Sequence, residues 1–384
     1  MNRYFSSSFK LGVLGGGQLG RMLLRECIKY DVQTYIMDAN PDAPCKNYCD
    51  TFIQGNLMDY DAVYEFGKQV DLLTIEIEHI NIDALEQLEK EGLQVFPQPH
   101  VLRTIQHKGI QKDFYEKNEI PTAPYERFEN KEELRKLIKD DAYPIVWKSA
   151  QFGYDGMGVK ILRGAEDVNK VDDVPGILEE LIPFKNELAV IVSRSPSGEV
   201  KYYPVVEMEF HPEANQVEYV ICPARISEEV SKKATEVALK VADSFGHVGL
   251  LAVEMFQTEN DNILVNEVAP RTHNSGHYSI EGSYTSQFEQ HLRSILDLPL
   301  GSGKSKCPAV MVNLVGAEGY QGPVVYQGME DILKLPGVTP HIYGKKLMKP
   351  FRKMGHVTVV ANEMSKARAL AEQVKNQVKV ISNE

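Results

Sequence analysis

The sequence predicts a protein of mixed α/β and α+β class, with an N-terminal doubly wound parallel α/β domain, a strand-rich central part and a small β-rich C-terminal part. Two observations lead to this prediction. The first hundred residues alternate short apolar strands with amphipathic helices, as parallel βαβ units do. The centre of the chain holds mostly strands and ends in an acidic hairpin. At 384 residues the chain is long enough for two or three domains, which we place at residues 1–100, 101–297 and 298–384.

The overall composition is that of a globular protein of an aqueous compartment, with 43% hydrophobic and 25% charged residues. No apolar run is long enough to cross a bilayer, and the segment MNRYFSSSFK lacks the apolar core of a secretion signal. A net charge of −12 argues against broad binding of nucleic-acid phosphates. The five cysteines are scattered, and Cys45 and Cys49 have no second ligand pair for zinc. We therefore expect a cytoplasmic protein that binds neither membranes nor nucleic acid.

The N-terminal domain begins with a strand, a glycine turn and a helix. The strand Phe9–Leu14 runs into Gly15–Gly20, a match to G-x-G-x-x-G, and Arg21–Tyr30 has helical spacing. One interpretation is a dinucleotide site, supported by Asp38 at the end of the next strand. The alternative is that the glycines only allow the helix to pack closely on the strand. The βα alternation then continues through the elements expected at Val32–Met37, Asp71–Ile77, Ile82–Glu91 and Val95–Phe96.

The central and C-terminal parts are expected to start after Pro97–Pro99, with a helix at Leu102–Asn118 and a rigid connector at Ile120–Pro124. Other helices are expected at Lys131–Lys139, Ser227–Phe245, Gln287–Leu296 and Lys366–Asn376. Strands are expected at Tyr143–Lys148, Val159–Leu162, Ile177–Ile182, Leu188–Ser193, Val200–Val206, Val217–Ile221, Val310–Val315 and Val357–Val360. Leu298–Ser305 has the composition of a linker.

A lysine and a glycine-rich loop in the central part predict phosphate binding. Lys148 ends a strand directly before the loop Gly153–Gly158, where three glycines let backbone N–H groups approach an anion. A lysine on the neighbouring strand adds positive charge for the phosphates. The loop is not a Walker motif, because Gly158 is followed by Val159 rather than by Lys and Ser or Thr. The alternative is a flexible hairpin tip.

The acidic hairpin predicts a metal site. The apolar runs Leu250–Phe256 and Ile263–Val268 flank a polar tip, and this spacing sets Glu254 across from Glu267. Cross-strand partners have Cβ atoms about 5 Å apart, so the two carboxylates repel unless a cation such as Mg²⁺ with a phosphate chain lies between them. The polar turn Arg271–His277 follows at once. The alternative is a surface hairpin whose glutamates point to water.

The order of these parts resembles that of the ATP-grasp enzymes: a lysine, a glycine-rich loop, a strand end with carboxylates, then a hairpin with two facing carboxylates. The likeness becomes specific for the N5-carboxyaminoimidazole ribonucleotide synthetases, whose HNSGH and RKMGH segments this chain shares. The matching stretches run along the whole chain and are Gly15–Met22 (GGGQLGRM), Ile120–Tyr125 (IPTAPY), Gly153–Gly158 (GYDGMG), Leu264–His277 (LVNEVAPRTHNSGH), Thr285–Gly301 (TSQFEQHLRSILDLPLG) and Tyr343–His356 (YGK…KPFRKMGH).

This resemblance implies a fold and an activity. The central part would be an ATP-grasp domain whose lid spans about residues 120–185. The enzyme would be an ATP-dependent C–N ligase of purine biosynthesis, which carboxylates 5-aminoimidazole ribonucleotide with bicarbonate through carboxyphosphate. ATP and Mg²⁺, or Mn²⁺ in its place, would be the cofactors, and the chain would form a homodimer. The N-terminal glycine turn would then serve the ribonucleotide and not NAD.

The resemblance also implies roles for individual residues. The ATP ligands would be Lys108, Lys148, Gly153, Tyr154, Asp155, Gly156, Met157, Gly158, Val159, Glu179, Glu180, Leu181, Ile182, Glu187, Glu207, Asn266 and Glu267. The ribonucleotide and bicarbonate pocket would hold Gln18, Leu19, Tyr154, Asp155, Arg271, His273, Asn274, Lys345 and Arg352. Glu254 and Glu267 would bind the metal, and Lys148, Arg271 and His273 would be catalytic.

The departures from the family pattern are small. Lys108 stands where some members have arginine, and Tyr278 stands where many have tryptophan. Two other activities remain as alternatives. One is another ATP-grasp ligase with an acyl phosphate intermediate, such as the formate-dependent glycinamide ribonucleotide transformylase or biotin carboxylase. The other is a non-catalytic nucleotide-binding or NAD-dependent protein built on the Gly15–Gly20 turn, which would leave Lys148, Glu254 and Glu267 unexplained.

Overall fold

The N-terminal part is built around a parallel sheet. The structure, a computed structural model, describes residues 4–139, 143–151, 158–211 and 216–383. The first elements are β1 (Lys10–Leu14), α1 (Gln18–Lys29), β2 (Gln33–Asp38), β3 (Thr51–Gln54), α2 (Tyr60–Gly67), β4 (Leu72–Ile75), α3 (Ile82–Lys90) and β5 (Gln94–Phe96). All pairings are parallel, and the strand order is β3-β2-β1-β4-β5. This confirms the predicted doubly wound domain, whose order reverses between β1 and β4.

Two N-terminal elements were not predicted from the sequence. The edge strand β3 has only four residues, none of them fully buried, so it lacks an apolar pattern. The helix α2 is short and begins at Asp59, whose side chain accepts a hydrogen bond from the Ala62 amide. Both elements depend on tertiary packing more than on local pattern.

The predicted helix Leu102–Asn118 is wrong as a single element, because the structure has two helices, α4 (Pro99–Ile105) and α5 (Lys108–Lys117). The His107 side chain accepts a hydrogen bond from the Ile110 amide and so begins a new helix. The Lys108 amide donates to the Ala150 carbonyl instead of to the preceding turn. The break therefore fixes Lys108 against the strand that carries Lys148.

A small antiparallel sheet follows. Its elements are β6 (Tyr125–Phe128), α6 (Lys131–Leu137), β7 (Ile145–Ser149), β8 (Val159–Leu162), a 3₁₀ helix (Ala165–Lys170) and β9 (Gly176–Glu180). The strand order is β6-β9-β7-β8, and one face packs around the buried Trp147. The predicted strand Ile177–Ile182 ends early, at Glu180, so Leu181 and Ile182 lie in the connection to the next strand.

A second, larger sheet carries the acidic hairpin. Its first elements are β10 (Phe184–Arg194), β11 (Val200–Tyr202), β12 (Val206–Phe210), β13 (Val217–Cys222), α7 (Glu228–Phe245), β14 (Gly249–Thr258), β15 (Ile263–Ala269), a 3₁₀ helix (Asn274–Gly276), α8 (Ser279–Gly282) and α9 (Gln287–Ile295). The apolar face of α7 packs on β10, β14 and β15 and forms a core cluster with them. Ser227 caps α7 by accepting from the Val230 amide, and Gly246 ends it in the left-handed region.

The C-terminal strands continue this large sheet. The remaining elements are β16 (Ala309–Val315), β17 (Gly322–Pro323), β18 (Val325–Gln327), α10 (Met329–Ile332), β19 (Val338–Ile342), β20 (Leu347–Met348), β21 (Lys353–Val360), α11 (Met364–Gln377) and β22 (Lys379–Ile381). The order is β15-β14-β10-β12-β13-β16-β21-β19, with β11 paired to β10. The central and C-terminal parts therefore share one sheet. Within the described residues, none of the helices combines the length and apolarity that a membrane crossing requires.

Candidate active site

Strands β14 and β15 place two glutamates face to face. Glu254 pairs with Glu267 across the hairpin, as the sequence predicted, and a β-bulge follows between Glu254 and Met255. A lysine and a histidine approach the pair from other elements. Lys108 Nζ lies 3.0 Å from Glu267 Oε2, and His273 Nε2 lies 3.2 Å from Glu254 Oε1. The hairpin therefore gathers a lysine from the start of α5 and a histidine from the turn after β15.

The two carboxyl groups have opposite electrostatic surroundings. Burial, and then the charge of Glu267, raises the pKa of Glu254. The neighbouring Lys108 lowers the pKa of Glu267. Glu267 is thus held as a carboxylate, whereas Glu254 gains a proton easily when no cation compensates both charges.

This pair fits a magnesium ion. Mg²⁺ is bound by one or two carboxylates and takes its other ligands from phosphates and water. Glu254 and Glu267 supply two such oxygen ligands, and their mutual repulsion would be relieved by a divalent cation. Among the described residues, no group of three or more His, Cys, Asp or Glu side chains forms a complete protein cage for a metal. The donor set therefore suits a metal that shares its coordination with a nucleotide.

A carboxylate from the small sheet holds two lysines. Lys148 Nζ lies 2.5 Å from Glu179 Oε2, and Lys112 Nζ lies 2.5 Å from Glu179 Oε1. Lys148 Nζ also donates to Asn266 Oδ1 at 3.0 Å. Lys148 therefore connects the small sheet with β15, one residue before Glu267. The predicted ATP residue Val159 lies directly across from Lys148 on β8.

The predicted adenine segment follows the same strand. Glu180 is exposed, and its amide donates to the Pro124 carbonyl at 3.1 Å. Leu181 and Ile182 are partly buried in the connection to β10. The Ser149 amide donates to the Gly158 carbonyl at 2.9 Å, so the described end of the glycine-rich loop returns to the strand of Lys148. The predicted ATP and substrate ligands Gly153, Tyr154, Asp155, Gly156 and Met157 lie outside the described residues.

Two further predicted ATP ligands are carboxylates of the large sheet. Burial raises the pKa of Glu187 to about 7, and the charge of Glu267 adds to this effect. Glu207 forms two ionic hydrogen bonds with Arg225, whose Nε and Nη2 donate at 3.0 and 2.5 Å. Arg225 therefore neutralises the charge of Glu207. Glu187 has no such partner among these contacts of the described residues and is available to a polar ligand such as a ribose hydroxyl.

The turn after β15 presents Arg271 and His273. Arg271 Nε lies 2.8 Å from Glu78 Oε1, so the turn contacts the N-terminal domain just after β4. The Ser275 amide donates to His273 Nδ1 at 3.3 Å. The neutral His273 ring therefore carries its proton on Nε2, the nitrogen that faces Glu254.

Buried amide side chains hold this turn in place. Gln287 of α9 accepts from the His273 amide at 2.9 Å and donates to the His273 carbonyl at 2.7 Å. Its Nε2 also lies 2.8 Å from His277 Nδ1. Asn274, a predicted substrate ligand, exchanges two hydrogen bonds with Asn313 of β16 at 2.9 and 3.0 Å. The turn is thus fixed by groups from both α9 and the C-terminal part.

The N-terminal glycine turn binds carboxylates of its own domain. Glu76 accepts from the amides of Gly17, Leu19 and Gly20 at 2.8, 3.1 and 3.0 Å. Asp38 accepts from the Gly16 amide at 2.6 Å. These are the amides that a dinucleotide pyrophosphate would need, so the geometry argues against the NAD interpretation. Burial raises the pKa of Glu76, and its bonds to these amides and the charge of Arg271 oppose that rise.

The predicted substrate cations lie beside this turn. A cavity of about 400 Å³ is lined by Gly17, Asp38, Asp42, Lys345, Lys346 and Arg352, among others. Lys346 Nζ lies 2.6 Å from Asp42 Oδ1, which also lines this cavity. Gln18 lines a neighbouring cleft of about 250 Å³ between α1 and β19. The Leu19 side chain is buried in the core, so Leu19 offers this region its backbone only.

Three residues of the site received no role from the sequence: Lys112, Glu78 and Gln287. Lys112 lies within a predicted helix, and its partner Glu179 lies on a strand distant in the sequence. Glu78 follows a buried strand, as carboxylates at a sheet's C-terminal edge do, and that position was a usable signal. Gln287 begins a helix and is fully buried, which local pattern does not reveal.

Three family models match the chain, in the order that the fold suggests. A ribonucleotide synthetase preATP-grasp domain matches residues 9–106, and an ATP-grasp domain matches residues 113–288. A phosphoribosylaminoimidazole carboxylase C-terminal domain matches residues 309–370. The predicted ATP-grasp domain in the centre of the chain is thereby confirmed.

Curated relatives cover most of the chain. It is 37% identical over 368 residues to a phosphoribosylaminoimidazole carboxylase of Candida glabrata, a match that covers 92% of this chain and 64% of the relative. The chain thus spans somewhat less than two thirds of that relative's length. It is 37% identical over 353 residues to an N5-carboxyaminoimidazole ribonucleotide synthase of Bacillus subtilis, covering 91% of this chain and 90% of the relative.

Solved structures share the fold over nearly the whole length. An N5-carboxyaminoimidazole ribonucleotide synthetase from Thermotoga maritima superposes with a TM-score of 0.90 at 40% identity, covering 98% of this chain and 100% of that one. A synthase from Aspergillus clavatus, in complex with ADP and 5-aminoimidazole ribonucleotide, has a TM-score of 0.88 at 36% identity, covering 96% and 98%. On these matches in both sequence and fold, the chain belongs to the family of N5-carboxyaminoimidazole ribonucleotide synthetases, which are ATP-grasp enzymes.

Proposed function

We propose that the protein carboxylates 5-aminoimidazole ribonucleotide with bicarbonate at the expense of ATP, giving N5-carboxyaminoimidazole ribonucleotide, ADP and phosphate in purine biosynthesis. The observation that carries the proposal is the Glu254–Glu267 pair, flanked by Lys108 and by His273 of the following turn. A nucleotide site and an acceptor site would thus meet at one end of β15. The Aspergillus clavatus relative, which binds ADP and this ribonucleotide, supports the same substrates.

The nucleotide side needs positive charge around the phosphates. Lys108 and Lys148 supply it, and Glu187 supplies a carboxyl group for the ribose. Glu254 and Glu267 would hold Mg²⁺, or Mn²⁺ in its place, which neutralises charge on the phosphates during transfer. In this arrangement Asn266 keeps Lys148 in register with the metal ligands, because it precedes Glu267 on the same strand.

Bicarbonate is a poor electrophile, so it has to be activated before an amine can attack. One of its oxygens attacks the γ-phosphorus of ATP, which gives carboxyphosphate and ADP. Carboxyphosphate then releases CO₂ and phosphate beside the amine of the ribonucleotide. Arg271 would stabilise the anions on this path, and His273 would orient bicarbonate or accept the amine proton. Carboxyphosphate is short-lived in water, which favours a site closed to solvent.

The ribonucleotide would bind between the N-terminal glycine turn and the C-terminal part. Lys345 and Arg352 line the cavity there, and both have the charge that a sugar phosphate requires. Asn274 and Gln18 would contact the same substrate, as would the backbone of Leu19. Arg271, in the turn after the metal hairpin, pairs with Glu78 of the N-terminal domain.

The proposal includes the organisation of the whole enzyme. We assign residues 1–100 to a substrate-side domain, 101–297 to the ATP-grasp domain with its lid at about 120–185, and 298–384 to the C-terminal domain. The parallel sheet ends at β5 (Gln94–Phe96), which supports the first boundary. A cytoplasmic homodimer is the assembly and location that we propose, on the family's precedent.

Phosphate release from ATP tests this function. We expect 5-aminoimidazole ribonucleotide plus bicarbonate to stimulate release, and formate plus glycinamide ribonucleotide to leave it at the background rate. Omitting either bicarbonate or the ribonucleotide is the control, since both are needed for net product. If only the formate pair stimulates release, the chain is a different ATP-grasp ligase.

A further inference from the structure

A second lysine is buried beside the lysine that we assign to the ATP phosphates. Lys112 of α5 and Lys148 of β7 each lie 2.5 Å from one oxygen of Glu179. The side chains are 3%, 10% and 5% exposed, respectively. One buried carboxylate therefore bridges two lysines, and this cluster has more positive than negative charge.

The charge balance explains why two lysines are useful. If Glu179 were paired with Lys148 alone, its negative charge would cancel the positive charge of Lys148 that the phosphates need. With Lys112 on its second oxygen, Glu179 still fixes the position of Lys148, but the cluster retains one net positive charge. Lys148 can then meet a phosphate while its side chain stays ordered.

We propose that Lys112 is a positioning residue of the nucleotide site, which occupies one oxygen of Glu179 so that Lys148 is held in place and its charge stays available to the ATP phosphates. This inference rests on the proposed use of ATP. It assigns Lys112 no contact with the nucleotide itself. Its effect reaches the phosphates through Glu179 and Lys148.

The surroundings of Lys112 tie it to the metal hairpin as well. Lys112 Nζ donates to Thr122 Oγ1 at 2.5 Å, and Thr122 Oγ1 donates to the Val265 carbonyl at 2.7 Å. Thr122 also pairs with Val265 in an isolated parallel bridge. Since Val265 lies two residues before Glu267, Lys112 links the phosphate lysine with the strand that carries the predicted metal ligands.

The protonation of Lys112 supplies an independent readout. Burial lowers the pKa of Lys112 to about 8, against the opposing charge of Glu179. The other groups that face it are Lys148 of β7, Lys108 of its own helix and the Tyr125 ring of β6, 5.9 Å from its Nζ. Lys112 is therefore charged below pH 8 and neutral above it. We expect ADP affinity to fall as pH rises through this value.

ADP titration calorimetry tests the inference on the full chain. We expect Lys112→Met to weaken ADP binding about tenfold or more, which corresponds to about 1.4 kcal/mol. Lys112→Arg should retain most of the affinity, because it keeps the charge on Glu179. The matched control is Lys117→Met, an exposed lysine on the same helix, which should bind ADP as the unchanged protein does. In steady-state assays, KM for ATP should rise more than kcat falls.

The outcomes separate this inference from a merely structural role. If Lys112→Met lowers the melting temperature but the folded protein binds ADP normally, Lys112 only stabilises the fold and the inference is overturned. If that variant does not fold, the pH series on the unchanged protein decides. An ADP affinity that stays constant between pH 7.5 and pH 9.5 contradicts the inference. ADP binding needs neither bicarbonate nor the ribonucleotide. The ADP titration can therefore be interpreted even if the protein does not catalyse the proposed carboxylation.

Discussion

Glu254 and Glu267 share one hairpin, yet their neighbours shift the pKa values of the two carboxyl groups in opposite directions. Lys108 keeps Glu267 ionised, whereas burial and the Glu267 charge raise the pKa of Glu254. His273 faces Glu254 with its Nε2 hydrogen. A divalent cation would therefore find one carboxylate already charged and a second that ionises as the metal binds.

The first prediction concerns Glu267. Glu267→Gln removes the charge that binds Lys108 and, in our proposal, Mg²⁺, while the side-chain volume is unchanged. We expect turnover to fall by about a hundredfold or more, as for other groups that stabilise transferred charge. The control is Glu259→Gln, an exposed glutamate at the tip of the same hairpin. Near-normal phosphate release by the Glu267 variant would remove it from the metal site.

The second prediction concerns Gln287, which holds His273 by its backbone. Gln287→Leu leaves those two backbone groups without their buried partner, so His273 should lose its alignment with Glu254. We expect kcat to fall at least about tenfold and the melting temperature to drop, since each buried polar group left without a partner costs about 1–3 kcal/mol. Gln373→Leu, an exposed position on α11, is the control. An unchanged kcat in the Gln287 variant would show that the turn keeps its shape without this side chain.

Some site residues could be predicted from the sequence, and the reason is spacing. Strand alternation sets Glu254 across from Glu267, so the pair follows from one hairpin pattern. Lys148 and Asn266 meet across 118 residues, and Lys108 and Glu267 across 159. Such contacts depend on how distant elements pack, so only the resemblance to a known family indicated them. Neither source of prediction indicates Lys112, which contacts Glu179, or Gln287, which bonds to the His273 backbone.

At the scale of elements, buried histidines at the junction of α7, β14 and α9 should make the folded protein less stable at acid pH. His247 follows α7, and His291 of α9 lies 3.0 Å from Thr74 Oγ1 of β4. Burial lowers the pKa of each to about 4. Both rings are neutral in the folded protein at pH 6, whereas in the unfolded chain they take up protons below about pH 6.5. Folding stability should therefore be complete above pH 6.5 and decline as the pH falls towards 4.

The third prediction follows from this pH dependence. We expect the melting temperature to decline from pH 7 to pH 5, and His247→Gln to make that decline shallower, because one fewer proton is taken up on unfolding. The control is His100→Gln, since His100 is exposed. An identical slope in the His247 variant and in the unchanged protein would contradict a neutral, buried His247.

Element boundaries show where local pattern is insufficient. The apolar spacing of Leu102–Asn118 suits one helix, but the His107 cap and the bond from the Lys108 amide to Ala150 divide it. That division matters for function, because it fixes the start of α5 beside the acidic hairpin. The long helix α7 was predicted closely, since a serine cap and a regular apolar stripe mark it in the sequence itself.

At the scale of the whole molecule, the central and C-terminal parts share one sheet. Strand β16 pairs with β13 on one side and β21 on the other. Asn313 of β16 also holds Asn274 of the site turn. The linker composition of Leu298–Ser305 predicts a boundary in the chain, but strand pairing across that boundary is not visible in the sequence. The C-terminal part is thus built into the candidate site and is not appended to it.

The fourth prediction tests this shared sheet. A chain that ends at Gly303 lacks β16, which leaves the hydrogen-bonding edge of β13 and the apolar Tyr219 and Ile221 uncovered. We expect this truncated chain to aggregate, because exposed apolar strand edges pair with other chains. Size-exclusion chromatography beside the full chain measures the result. A soluble truncated protein with native-like near-ultraviolet circular dichroism would show that the two parts fold independently.

The most direct test of the central claim follows oxygen from bicarbonate into phosphate. If bicarbonate attacks ATP at the Glu254–Glu267 site, the phosphate released from carboxyphosphate keeps one bicarbonate oxygen. With freshly dissolved ¹⁸O-bicarbonate, ATP and 5-aminoimidazole ribonucleotide, we expect ³¹P NMR to show phosphate carrying one ¹⁸O atom and carboxylated product in equal amount. Unlabelled phosphate formed together with that product would contradict activation of bicarbonate by phosphoryl transfer.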